Sequence, residues 1–100
     1  MEDYEVSILP IAQGDLRYQL EDIAEHSRER AMQLLDSIVD ASRVLKKTPG
    51  AQPLAKDLQF RLRGYRTLSI GNFVTLFTVT GKTVEIHRIL FKRPQYEGII

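Results

Sequence analysis

The stretch Phe73-Val74-Thr75-Leu76-Phe77-Thr78-Val79-Thr80-Gly81-Lys82-Thr83-Val84-Glu85-Ile86-His87-Arg88-Ile89-Leu90 decides the fold. Phe73, Thr75, Phe77 and Val79 alternate with their neighbours at a period of two, and Val84, Ile86 and Leu90 continue the pattern after Thr80-Gly81-Lys82. A short Gly-containing turn between two such runs predicts an antiparallel hairpin. Upstream, Leu62, Leu68 and Ile70 mark a further strand, joined to the hairpin through Gly71-Asn72. On the last strand Glu85 and His87 share one face, opposite Val84, Ile86 and Leu90.

Before Phe60 the period is different. Ala31, Leu34, Leu35, Ile38, Ser42 and Leu45 keep a three/four spacing over four turns, the strongest periodic signal in the chain. Ser27 is placed to cap this helix, Lys46 and Lys47 suit its C-terminal dipole, and Thr48-Pro49-Gly50-Ala51-Gln52-Pro53 stops it. A preceding helix over about 11–26 carries Leu16, Leu20, Ile23 and Ala24 on one face. Asp15, Glu21, Asp22 and Glu25 lie on its other face, and Gly14 weakens its first turns. Tyr4–Leu9 alternates as a strand, which Pro10 ends. The order β-αα-βββ predicts an α+β domain over residues 1–100. A helical hairpin packs on one face of a mainly antiparallel four-stranded sheet and leaves the other face open.

One hundred residues, 43% apolar and 27% charged, suit one soluble globular domain. No apolar run approaches a membrane span, and the acidic start Met1-Glu2-Asp3-Tyr4-Glu5 is unlike an export signal, so a cytoplasmic protein with no membrane partner is expected. Cysteine is absent, and His26 and His87 have no second ligand at a metal spacing. Neither a metal nor a cofactor is expected. Nor is there a phosphate loop, an HExxH or a GxSxG.

The net charge of +1 hides a division. Residues 1–45 carry four Arg against ten acids, a net −6, and residues 46–100 carry ten Lys/Arg against three acids, a net +7. Either the two halves neutralise one another on folding, or the basic half meets a polyanion or an acidic protein. The basic and aromatic groups of that half are Arg61, Arg63, Arg66, Arg88, Lys92, Arg93 and Tyr96, with His87 beside Glu85. Guanidinium forks suit phosphates, an aromatic such as Tyr96 or Phe91 suits a base, and imidazole suits proton transfer. Equally, strand cations keep edges soluble, Arg88 suits a structural ion pair, and Tyr65 and Tyr96 suit capping of the core.

Ile8-Leu9-Pro10-Ile11-Ala12-Gln13-Gly14-Asp15-Leu16 resembles the strand-to-helix opening of the RelE/ParE superfamily toxins. Lys56-Asp57-Leu58 with Leu62-Arg63-Gly64-Tyr65-Arg66-Thr67-Leu68 is similar to their entry into the second strand, and Gly71-Asn72-Phe73-Val74 to Phe77 resembles their central strand. Val84 to Leu90, then Lys92-Arg93 and Tyr96-Glu97, resembles their last strand and tail. The resemblance spans nearly the whole chain. It implies the toxin of a type II toxin–antitoxin (plasmid-stabilisation) module, which inhibits growth until a cognate antitoxin neutralises it. Two targets follow from it, the mRNA in the ribosome, cut by a ribosome-dependent endonuclease (an mRNA interferase), or DNA gyrase, inhibited without hydrolysis. A non-toxic binding module on the same fold is the third reading. If the chain is an RNase, the residue chemistry points to His87 or Tyr96 for proton transfer with Arg93 in the catalytic set, although Tyr96 follows Lys92-Arg93 more closely than the catalytic Tyr of the nuclease members does. Arg61, Arg63, Arg66, Arg88 and Lys92 then hold the target's phosphates. The nuclease members usually carry an Arg after the central-strand aromatic, where this chain has Val74, and basic residues where it has Thr67 and Ser69. The antitoxin is expected to be acidic and to anchor near Leu34, Ile38 or Phe91.

Overall fold

A computed structural model describes residues 3–92. The elements are β1 (Glu5–Ile8), α1 (Pro10–His26), α2 (Arg28–Lys47), a single 3₁₀ turn at Pro49–Ala51, α3 (Leu58–Leu62), β2 (Arg66–Ile70), β3 (Phe73–Thr80) and β4 (Thr83–Phe91). The sheet order is β1-β4-β3-β2, with β1 parallel to β4 and the other pairs antiparallel. The α+β, β-αα-βββ organisation is the one the periodicity predicts, with α3 added between the helical hairpin and β2.

Pro10 occupies the first position of α1, where its missing N–H has no helical partner to lose. One residue, Ser27, separates the helices, and its hydroxyl accepts from Arg30 N at 3.2 Å to cap α2. α2 buries Ala31, Leu34, Ile38, Ala41 and Leu45, while α1 buries Ala12 and half-buries Leu16, Leu20 and Ile23. The face predicted for α2 is therefore rotated slightly. Leu35 is exposed and Ser42 half-buried, and Ala41 takes the place expected of Ser42. Ala24 of α1 is exposed too.

These residues meet Phe73, Phe77, Val84, Ile86 and Ile89 from the two central strands, with Val6 and Ile8 of β1 and Leu68 and Ile70 of β2 at the flanks. Among the described residues Thr75 is the one buried polar side chain, and its hydroxyl donates to Leu68 O at 3.1 Å. A buried hydroxyl without that acceptor would destabilise the core.

Two departures from the predicted pattern have local causes. Leu62 lies in α3 instead of a strand: Asp57 caps a helix there by accepting from Gln59 N at 3.0 Å, and extended pairing begins only at Arg66. Leu90 is exposed and Ile89 is fully buried. The ladder between β3 and β4 shifts by one residue at Leu76/Phe77, so that Leu76 faces Arg88 while Phe77 faces Ile86. His87 is the extra residue of a β-bulge, and beyond it every β4 side chain changes face.

The connection from α2 to β2 covers an edge. Ala55 N donates to Tyr65 O at 2.9 Å, Thr67 N donates to Pro53 O at 2.9 Å, and Leu54 bridges to Arg66. The outer rim of β2 is thereby blocked to other strands.

Phe77→Ala should cost about 3–5 kcal/mol, read as a lower urea midpoint, because its ring is wholly enclosed between α2 and the sheet. Gly14→Ala should stabilise by about 0.5–1 kcal/mol, since a Cβ added in this helical position meets nothing within 4 Å; an unchanged or lower melting temperature would contradict that.

Candidate functional site

The register assigns Thr67, Ser69, Val74, Leu76, Thr78 and Glu85 to the face of the sheet away from the helices. His87 joins them. Its Nε2 lies 2.9 Å from the Thr78 hydroxyl, which accepts from an imidazolium and donates to a neutral Nε2. The His87 ring also packs against Tyr65, with centroids 4.9 Å apart and planes at 60°.

Tyr65 is placed by the end of α3. Gly64 has φ +81°, a conformation that strains any residue with a Cβ, and it closes the helix. Gly64 N donates to Arg61 O at 3.0 Å and Tyr65 N donates to Phe60 O at 3.0 Å, the paired bonds of a Schellman motif. The apolar contact that accompanies such motifs is the edge-on packing of Phe60 against Tyr65, 5.3 Å between centroids. A helix terminus, an aromatic pair and the Thr78 hydroxyl thus fix one imidazole at the middle of the open face. Sequence reasoning identified His87 but not Thr78, Tyr65 or Phe60 as its setting. The signal was the cross-strand register.

The cations are placed otherwise. Arg61 and Arg63 are exposed on α3 and its C-terminal cap. Arg66 stands opposite Phe77 on the helix-side register, half-buried, and its Nη1 donates to Gln52 O at 2.6 Å. Lys92 follows the end of β4 at the rim, its backbone N–H donating to Asn72 O at 2.6 Å. Arg93 and Tyr96 lie outside the described residues. By register Arg88 stands with Leu76 on the open face, and Arg61 and Arg63 are carried by α3 and its cap beside Tyr65; the other strand residues of that face are hydroxyls and aliphatics with Glu85 and His87.

Arg88, grouped by sequence with the phosphate-holding cations, has its guanidinium engaged by Asp15. Nε donates to Oδ2 at 2.7 Å and Nη2 to Oδ1 at 3.0 Å, and Ile89 N also donates to Asp15 Oδ2 at 3.1 Å. This is the structural ion pair that the alternative reading of Arg88 describes. It also corrects Asp15, which was placed among the solvated acids of α1. Its side chain is only 16% exposed. Burial by itself would raise the Asp15 carboxyl, but the Arg88 and Ile89 hydrogen bonds and the guanidinium charge outweigh it and hold the group below the usual carboxylate range.

A second concavity, about 570 Å³, opens between the α1–α2 turn and the β2–β3 turn. Ile23, Leu34, Ile70, Phe73 and Phe91 line it among polar residues such as His26, Arg30 and Asn72. Leu34 and Phe91, two of the three anchors expected for a protein partner, contribute to it; Ile38 is sealed in the core. Among the described residues no helix is long and apolar enough to cross a membrane.

The sequence matches no protein-family model and no curated protein. Its fold, however, is shared by a solved structure. The chain superposes on a chain of the chromosomal ParDE TA system from P. aeruginosa with a TM-score of 0.74, at 21% identity, covering 90% of this chain and 97% of that one.

Asp15→Asn should lower stability at neutral pH by about 1–2 kcal/mol, discounted for the partial exposure of Arg88. Because the folded carboxyl titrates below its unfolded value, its contribution is present above the unfolded value of 3.8 and disappears as pH falls through the lower, folded one. Chemical denaturation of the two proteins should therefore converge in acid; a gap that stays constant down to low pH would refute this role.

Proposed function

We propose that this chain is the toxin of a type II toxin–antitoxin module, held inactive by a cognate antitoxin, and that it arrests growth by binding its target, DNA gyrase, as ParE-type members do. The observation that carries the reading is the near end-to-end likeness to a ParDE chain. Binding is favoured over hydrolysis by where the cations lie. Phosphoryl chemistry on RNA needs a transition-state cation aimed at the same atom as the proton-transfer group. Arg66 donates to Gln52 O and Arg88 to Asp15, so neither guanidinium is directed at His87.

The second reading, a ribosome-dependent mRNA endonuclease, is favoured by His87 itself. An imidazole on the open face beside a hydroxyl and an aromatic ring is the arrangement proton transfer would use. In that case Arg93 and Tyr96 join His87, while Arg61, Arg63 and Lys92 hold phosphates. The antitoxin would take the cleft beside Leu34 and Phe91, with apolar anchors in it and acidic residues toward the basic rim. A cytoplasmic site of action accompanies both readings.

Induced expression in a bacterium that lacks the antitoxin should stop growth, with DNA damage and altered supercoiling preceding any fall in translation. His87→Ala should stay toxic, and co-expression of the adjoining antitoxin gene should restore growth. Immediate loss of translation, abolished by His87→Ala, would establish the endonuclease instead. Unimpeded growth on expression of the folded chain would reduce it to a binding module.

A further inference from the structure

Two exposed stripes of opposite charge were left unexplained by the site. α3 buries none of its residues, and Leu58 and Leu62, one turn apart, are 66% and 78% exposed. Lys56, Arg61 and Arg63 surround them, while Asp57 caps the helix. On α2, Glu29, Met32, Asp36 and Val39 follow one another at three/four spacing, all exposed, Met32 at 53% and Val39 at 50%. One stripe is base and leucine; the other is acid and aliphatic as far as Val39, with Arg43 one turn beyond it paired to Asp40. Among the described residues the Asp15–Arg88 and Asp3–Lys47 ion pairs join the acidic and basic halves, and neither pair draws on these stripes.

We propose that the α3 stripe docks on the Glu29–Val39 stripe of a second copy of this chain. Charge complementarity identifies the occupant, since each copy carries both the basic and the acidic half of the contact at equal concentration. The two stripes cannot meet within one molecule. α2 packs on one face of the sheet, and α3 leans on the other through Phe60 and Tyr65. Two bare leucines at the centre also fit an apolar surface better than a phosphate backbone. A contact between different patches is head-to-tail, so it propagates unless geometry closes a ring. It is small, so it is weak and reversible. The inference does not depend on the toxin reading.

Sedimentation equilibrium over a concentration series tests it. The average mass should climb above the monomer with concentration, and association should weaken about tenfold between about 50 mM and about 500 mM NaCl as charges are screened. The double variants L58S/L62S, R61E/R63E and E29K/D36K should each remain monomeric. Because all these side chains are exposed, their melting curves should match the parent. Mixing R61E/R63E with E29K/D36K should restore association, the two variants alternating at one-to-one stoichiometry, because every α3 stripe then meets an α2 stripe of opposite charge on the other variant. A parent that is monomeric throughout, association unchanged by L58S/L62S, or failure of the charge-swapped pair to form would each overturn the proposal. So would binding of single-stranded oligouridylate through Arg61 and Arg63 by a chain that stays monomeric.

Discussion

β1 ends at Ile8 because Pro10 follows, and its pairing with β4 ends at Ile86 for the same reason. β4 continues for five more residues, so past Ile86 it needs a different neighbour on that side. A single carboxylate supplies it. Asp15, projecting from the second turn of α1, accepts the Ile89 N–H that a longer β1 would have bonded and grips the Arg88 guanidinium beside it. The helical layer is thereby keyed to the sheet at one defined height. Apolar burial presses the hairpin against the strands, but such attraction is non-directional and leaves sliding inexpensive. The forked bond selects one position. Because Asp15 is largely removed from solvent, the selection costs desolvation and is offset only while both donors are in place.

That keying bears on the bulge. Inserting His87 into β4 moves Ile89 into the core and turns Leu90 out, and the Asp15 bond to Ile89 N belongs to the shifted register alone. The insertion and the helix anchor thus support each other. The same insertion turns Arg88 to the open face opposite Leu76, where an uninterrupted ladder would have aimed it at the core.

How far the sequence revealed this follows from the range of each interaction. The helices, the Ser27 cap, the hairpin turns and the four strands are recorded in local spacing, and so the order of elements was legible. α3 was hidden because Leu62 continues the apolar count of a strand while the Asp57 cap makes a helix. The bulge was hidden because it is a mismatch between two strands. Both Val84 and Leu90 fit a period of two within β4 alone, and only the count against β3 shows the slip. Asp15 was misread for a similar reason, its partners being more than seventy residues away. His87 was recognised by residue type, whereas the company it keeps depends on a helix terminus and a neighbouring strand that no spacing rule connects. The cations were over-collected. Charge counts add up a half-chain, but orientation distributes its members between a rim, a core boundary and an ion pair.

The Schellman ending of α3 carries a further consequence. Tyr65 is held by its main-chain bond to Phe60 O and by the Phe60 ring, next to the Gly64 N–H bond to Arg61 O, and none of these contacts uses the side chains at 61, 62 and 63. The outer surface of this short helix is therefore free to drift under selection for a new contact while the aromatic wall beside His87 stays where it is. Recognition and the imidazole's setting can be inherited separately, though the segment that carries both spans fewer than ten residues.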